Sequence, residues 1–293
     1  MNMAELVHLA SPVVLDESAL LVKQERLFDI LRGLGRVLVA YSGGTDSAYL
    51  AWAARRAVGD KAVAVTADSP SMPASHKRDA AEFAAEHGIR HELVASREFS
   101  NPAYSANNPD RCFHCKDELF RRMEEIAPAF GDAVLVYGVN TDDLGDYRPG
   151  QQAAGVHGVR APLVEAELSK AEIRALSRLA GLSTWDRPAA ACLSSRIPYG
   201  TPVTEATISR VEQAEEGIKA LGFRQFRVRY HDKLARIEIS RDEMARAMTL
   251  EMFETLSALF KGLGFTYVAL DLDGYRQGAM NEVLPGRAVP AGQ

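Results

Sequence analysis

Short apolar runs alternate with stretches of helical period through the first two thirds of the chain. Val37 to Tyr41 is continuous apolar sequence, the pattern of a parallel strand covered on both faces. Further strands are predicted over Lys61 to Ala67, His91 to Ala95 and Ala133 to Tyr137. Between and around them, helical spacing predicts Glu17 to Leu34, the run from Asp46, Ser75 to His87, Cys112 to Ile126 and Ser169 to Leu179. Ser169 and Glu172 have capping-box spacing, and Gly181 follows that last helix. Such alternation means βαβ units and a parallel sheet, which binds ligands beyond the carboxyl ends of its strands. The loops after Tyr41, Ala67 and Tyr137 are therefore expected to meet around one nucleotide.

The last third changes pattern. Thr204 to Leu221 is amphipathic and closed by Gly222. Phe226 to Tyr230 and Leu234 to Ile239 alternate as two strands joined by His231-Asp-Lys233. Ser240 and Glu243 have the spacing of another capping box, opening a helix to about Lys261, and Tyr267 to Leu270 is a last strand. The fold class is thus α/β, with a smaller C-terminal α+β domain. The Pro- and Ala-rich stretch Trp185 to Gly200 marks the boundary, giving domains 1–190 and 191–293.

The loop that follows the first strand reads Ser42-Gly-Gly-Thr-Asp-Ser47. A glycine loop between a strand and a helix N-terminus aims backbone N–H groups at one point, where the helix dipole adds positive potential. That geometry suits phosphate, yet the spacing is not that of a Walker A loop. Gly138 opens the loop after the fourth strand, where it lets a ligand approach the backbone. Asp142, Asp143 and Asp146 in that loop have the chemistry to hold Mg²⁺ or a ribose, and Arg148 to meet an anion. Arg227 and Arg229, two apart on one strand, share a face and make a paired anion-binding surface.

The 293 residues carry a net charge of −5, which argues against sequence-blind nucleic-acid binding. Met1 to Val14 lacks the charged start of a signal peptide, and no apolar run approaches a membrane span. The expected setting is cytoplasmic, where thiols stay reduced. Three cysteines are present: Cys112 and Cys115 as C-x-x-C at the start of a helix, and Cys192 in the boundary loop. C-x-x-C alone leaves open a redox pair, half a zinc site, iron–sulfur ligands, or buried thiols.

The Ser-Gly-Gly-x-Asp-Ser loop resembles that of the N-type ATP pyrophosphatases, the PP-loop superfamily of GMP synthetase, NAD synthetase and tRNA thiolases. The resemblance implies that Ser42, Gly43, Gly44 and Ser47 hold pyrophosphate oxygens of ATP, and Asp46 the Mg²⁺ end. Ala-Cys-Leu-Ser-Ser-Arg-Ile-Pro-Tyr-Gly, Asp-Tyr-Arg-Pro-Gly, Phe-Arg-Val-Arg-Tyr-His and Ala-Arg-Ile-Glu-Ile resemble the LarE-type sulfur transferases. These adenylate a carboxylate of pyridinium biscarboxylic acid mononucleotide and convert it to a thiocarboxylate, on the way to a nickel-pincer nucleotide. The resemblance assigns Cys192 as the sulfur-bearing thiol and Ser195, Arg196, Arg227 and Arg229 as substrate-phosphate contacts. Glu215 and Glu238 take a metal or structural role. One branch of the family has only the Cys192 counterpart and sacrifices its sulfur. The other adds C-x-x-C and resembles thiolases with a 4Fe-4S cluster on three cysteines, which implies Cys112, Cys115 and Cys192 as iron ligands here. It also implies a homo-oligomer and a small nucleotide substrate, with neither membrane nor nucleic acid as partner. An ammonia-using synthetase, a tRNA thiolase of the same superfamily and a non-enzymatic nucleotide or metal binder are the rival readings.

Overall fold

The computed structural model describes residues 16–144, 149–188 and 191–276. In chain order the elements are α1 Glu17–Leu34, β1 Val37–Ala40, α2 Thr45–Val58, β2 Ala62–Asp68, α3 Ala74–Glu86 and β3 Arg90–Ala95. Then come α4 Pro102–Ser105, α5 Arg111–Ile126, β4 Val134–Tyr137, α6 Pro149–Val156, α7 Pro162–Glu165 and α8 Lys170–Leu179. A 3-10 turn, Leu193–Arg196, leads to α9 Glu205–Ala220, β5 Phe226–His231 and β6 Leu234–Ile239. The series ends with α10 Arg241–Ala247, α11 Leu250–Gly262 and β7 Tyr267–Leu270.

The first sheet is parallel, in the order β3-β2-β1-β4. β1 lies between β2 and β4, so its carboxyl end is the switch point where crossovers leave in opposite directions. Its four residues are all buried, and the period of two divides them between two cores. Val37 and Val39 pack with Leu27, Leu31, Leu50, Ile173 and Leu176 of α1, α2 and α8. Leu38 and Ala40 pack with Leu119, Phe120 and Met123 of α5 and with Ala153 and Ala154 of α6. This double burial is why β1 reads as an unbroken apolar run.

The second sheet has the order β5-β6-β7, with β5 antiparallel and β7 parallel to β6. Its core joins Val228, Ile237, Ile208, Val211 and Phe260, and it also takes in Tyr104, Leu193 and Ile197. The chain around Cys192 is therefore packed against the second core.

Two local predictions are corrected. Ser240 does stand before α10, but it makes no side-chain cap. Glu243 instead turns its carboxylate to the backbone N–H groups of Arg224 and Gln225, which leaves the Ser240 hydroxyl donating to Glu243 at 3.2 Å. The single helix predicted to Lys261 is two, because Thr249 restarts the chain by accepting the Met252 N–H. The Ser169–Glu172 capping box is present as read.

Candidate active site

The loop after β1 bends through Gly43, whose φ is +74°. A side chain there is strained by the backbone, and its Cβ would lie 3.2 Å from Ala80 Cβ of α3. Gly44 is the N-cap of α2 and offers no side chain to the helix, so the first-turn N–H groups stay available for a ligand. Ser42 and Ser47 bring their hydroxyls to 3.1 Å of each other. The Ser47 hydroxyl also donates to the Gly44 carbonyl. Gly138 is also held close to the protein itself. A Cβ there would sit 2.9 Å from the Ser47 nitrogen and 3.0 Å from Asp46 carbonyl carbon. The close approach that requires glycine is that of the α2 N-terminus itself.

Asp46 points toward α8, where Lys170 Nζ meets both its carboxylate oxygens at 2.7 Å. Burial pushes the Asp46 carboxyl up, and Lys170 only partly offsets that, with Asp143 close enough to push it up further. Asp142 accepts the backbone N–H of Lys170. Asp143 closes a capping box with Asn140. Asp146 and Arg148 lie outside the described residues. Lys170 and Arg187 are the cations that sequence reasoning missed. Arg187 donates to the Gly43 carbonyl at 2.9 Å and pairs with Asp79 at 3.2 Å, so a guanidinium sits directly on the glycine loop.

The thiols gather beside this loop. Cys112 and Cys115 occupy the opening turns of α5, and Cys192 immediately precedes the Leu193–Arg196 turn. Burial, then Cys192 nearby, pushes the Cys115 thiol up to about 12. Cys112 is open to solvent at its residue surface. Its sulfur is nevertheless crowded by protein and close to Cys192, and both raise its pKa, against Arg111. Ser42, Cys115, Cys192 and Lys116 line one small cavity of about 150 Å³ at the carboxyl ends of β1 and β2. Ser42 and Gly43 also border a larger cleft of about 500 Å³ with Arg187, Lys219, Arg224 and Arg227. The loop thus stands between a thiol cavity and a charged cleft, which Asp79, Glu212, Glu215 and Glu216 also line.

Arg196 and Arg229 hold the Cys192 turn in place. Arg196, 2% exposed, pairs bidentately with Glu215 and donates to the carbonyls of Ala191 and Cys192. Arg229, 5% exposed, pairs bidentately with Glu238 and donates to the Ser195 carbonyl at 3.0 Å. Ser195 bonds back to the Cys192 carbonyl. Of the residues predicted to meet substrate phosphate, Arg196 and Arg227 line the open cleft, Arg196 paired with Glu215 and Arg227 with its guanidinium over the Tyr275 ring. The two carboxylates, Glu215 and Glu238, are engaged by these arginines. From the other side, Asn107 donates to the carbonyls of Ile197, Pro198 and Thr201. Arg111 donates to the Ser194 carbonyl at 2.8 Å.

Among the described residues, no group of three or more His, Cys, Asp or Glu side chains is arranged to hold a metal ion. A single ion needs thiolates about 2.3 Å from one point. A cubane bonds each thiolate through its own iron and spreads them further, and three thiols are the number of donors that leaves one iron open.

A parallel sheet carrying a Ser-Gly-Gly-x-Asp-Ser loop at its switch point defines a PP-loop protein. No family model matches the chain. It is 45% identical over 262 residues to an uncharacterized protein of Synechocystis sp., covering 89% of this chain and 98% of that one. It is 35% identical over 268 residues to the pyridinium-3,5-bisthiocarboxylic acid mononucleotide synthase of Lactiplantibacillus plantarum, covering 91% and 96%. Over 156 residues, half of each chain, it is 30% identical to one subunit of the glutamine-hydrolyzing GMP synthase of Methanococcus maripaludis. The chain belongs to the pyridinium-3,5-bisthiocarboxylic acid mononucleotide synthase family, LarE. No described helix is long and apolar enough to cross a membrane.

Proposed function

We propose that the protein is an ATP-dependent sulfur transferase acting on pyridinium-3,5-biscarboxylic acid mononucleotide. The observation that carries this reading is the cavity shared by Ser42 of the pyrophosphate loop and the thiols of Cys115 and Cys192. An activated carboxylate made at the loop would form within reach of sulfur.

In this reading Ser42, Gly43, Gly44, Ser47 and the N-terminus of α2 hold the β and γ phosphates of ATP. Asp46 takes Mg²⁺, and Arg187 adds positive charge at the transferring α-phosphate. The substrate carboxylate attacks that phosphorus and pyrophosphate leaves. Arg227, Lys219 and Arg224 supply cations for the substrate phosphate in the larger cleft. Arg196 and Arg229 keep Cys192 facing the acyl adenylate. Sulfur then attacks the acyl carbon and AMP departs.

Cys112, Cys115 and Cys192 would hold a 4Fe-4S cluster, which supplies an iron open to an extra sulfide. The second reading is sacrificial donation from Cys192 alone, and the position of that thiol beside Ser42 favours it equally. Anaerobically prepared protein should be brown and contain iron, and should release pyrophosphate only with the biscarboxylic nucleotide present. Release that is indifferent to that nucleotide would refute the substrate assignment.

A further inference from the structure

The chain from Thr184 to Arg187 lies against the pyrophosphate loop and touches it on either side of Gly44. The Thr184 carbonyl accepts from the Thr45 hydroxyl at 2.8 Å. The Arg187 guanidinium donates to the Gly43 carbonyl at 2.9 Å. Thr45 fills the one position that Ser-Gly-Gly-x-Asp-Ser leaves open, and at 4% exposure its hydroxyl is committed to this contact. The segment belongs to no helix or strand. Its own backbone bonds are long, Trp185 N–H to Leu182 carbonyl and Arg187 N–H to Thr184 carbonyl, both at 3.2 Å. What fixes it therefore comes from outside.

That support is α8. Lys170, Arg174 and Arg178 follow one another at intervals of four and share one face of the helix. Lys170 meets Asp46. Arg174 donates to the carbonyls of Trp185 and Arg187, both at 3.0 Å. Arg178 lies over the Trp185 ring, 5.1 Å from its centre. Among the described residues Arg174 makes no ion pair, so its fork is spent on these two carbonyls. A planar guanidinium on two acceptors fixes their spacing as well as their position, which an ammonium cannot do. The Arg187 backbone is thereby anchored, while its side chain leans on Gly43 and Asp79.

We infer that Arg174 is a positioning residue for adenylation, holding the backbone of Arg187 so that its guanidinium stands at the transferring phosphorus. The inference rests on the functional reading above, which puts Arg187 at the α-phosphate. Arg174 itself touches no substrate. Its effect falls on the transition state, where a guanidinium displaced by an ångström no longer meets the oxygens it stabilises. One face of α8 then serves both ends of the reacting triphosphate, Lys170 through Asp46 and Arg174 through Arg187.

The test is the rate of pyrophosphate release in a single turnover, with ATP and the biscarboxylic nucleotide. Arg174→Gln should slow the maximal rate by up to about 10²-fold. The ATP concentration for half-saturation should stay as in wild type, because the lost interaction is made in the transition state. Arg174→Lys keeps the charge without the fork and should lose most of the same rate. In an Arg187→Ala background, Arg174→Gln should cost nothing more, since the two act as one unit. An unchanged rate in Arg174→Gln overturns the inference, and so does full activity in Arg174→Lys. A loss that adds in full to that of Arg187→Ala marks a general structural role and overturns it too. Wild-type protein that releases no pyrophosphate would sink the functional reading instead. The anchoring is then read from the fluorescence of Trp185 in Trp52→Phe protein, where it is the one remaining tryptophan. Its emission must shift to the red in Arg174→Gln, and an unchanged emission overturns the inference.

Discussion

Asp46 and Lys170 are 124 residues apart in the chain and share two hydrogen bonds of 2.7 Å, joining the N-terminus of α2 to that of α8. A carboxylate so engaged shares its oxygens between the lysine and any Mg²⁺ it meets. The side chains remain 22% and 35% exposed, so the pair is worth little to the fold. Asp46→Asn should therefore lower Tm only slightly. Pyrophosphate release should be abolished, and the Mg²⁺ dependence of ATP binding with it. ATP binding that keeps the wild-type Mg²⁺ dependence would remove Asp46 from the metal.

Arg229 and Glu238 form a buried pair, with side chains 6% and 1% exposed. Removing one partner of an isolated buried pair costs about 3–5 kcal/mol, but Arg236 also pairs with Glu238 at 3.2 Å and keeps its charge partly compensated. Arg229→Ala should therefore depress stability by less than that in denaturant titration. It should weaken ATP and the nucleotide substrate together, because the Ser195 carbonyl loses its donor. Arg227→Ala, by contrast, should weaken the substrate more than ATP, by roughly ten- to a hundredfold. Selective loss of the substrate in Arg229→Ala would contradict the buried role.

Gly138 offers a test that involves no charge. Its Cβ would meet the Ser47 nitrogen at 2.9 Å, a backbone atom that cannot swing aside. Gly138→Ala should displace the first turn of α2 and lower ATP affinity, while the C-terminal sheet stays unaffected. Hydrogen exchange would show lost protection in 42–50 and unchanged protection in β5 and β6. Unchanged exchange in 42–50 would mean that the loop accommodates the methyl.

The pyrophosphate loop was legible because its six contiguous residues dictate a local backbone, including the turn at Gly43. The strands were legible because β1 is buried on both faces. Lys170 and Arg187 were not legible. Each acts on a residue far along the chain, and a lone Lys or Arg in sequence resembles any solvated charge. Arg196 and Arg229 read in sequence as substrate-phosphate contacts, and sequence cannot show that Glu215 and Glu238 pair with them. Ser240 and Glu243 had the spacing of a capping box. The backbone of Arg224 and Gln225 ahead of β5, invisible to local spacing, won the carboxylate.

His157 places its two ring nitrogens 2.9 and 3.0 Å from Glu124 and Asp117 of α5. Partial burial alone would lower its pKa. The hydrogen bonds to Asp117 and Glu124 outweigh that and raise it above the ordinary value of 6.5. A raised folded pKa gives stability that is fully present below the unfolded value and is lost as pH rises through the folded one. Wild type should thus lose stability from about pH 6.5 upward relative to His157→Gln. Unfolding titrations at pH 5.5 and 9 check this. A stability difference between the two proteins that is the same at both pH values would exclude the charged bridge.

The sulfur source is decided at Cys115. In a sacrificial mechanism Cys112 and Cys115 have no chemical part. Cys115→Ser then completes one turnover at a near-normal rate, and Cys192 loses the mass of H₂S. A cluster needs all three thiolates. A serine hydroxyl is a poor iron ligand at neutral pH, and two cysteines do not close a three-ligand site. The raised pKa of Cys115 sharpens the contrast. Neutral thiols crowded in a buried site are stable as they stand, whereas a bound cation charge compensates thiolates that burial alone disfavours. Replacing any one of the three with serine should abolish iron content, colour and sulfur transfer together. Pyrophosphate release should survive in Cys115→Ser, since the proposed adenylation takes place at the loop. Under anaerobic sulfide the wild type should exceed one turnover with the mass of Cys192 unchanged. Loss of one H₂S from Cys192 in wild type under those conditions would establish the sacrificial route instead.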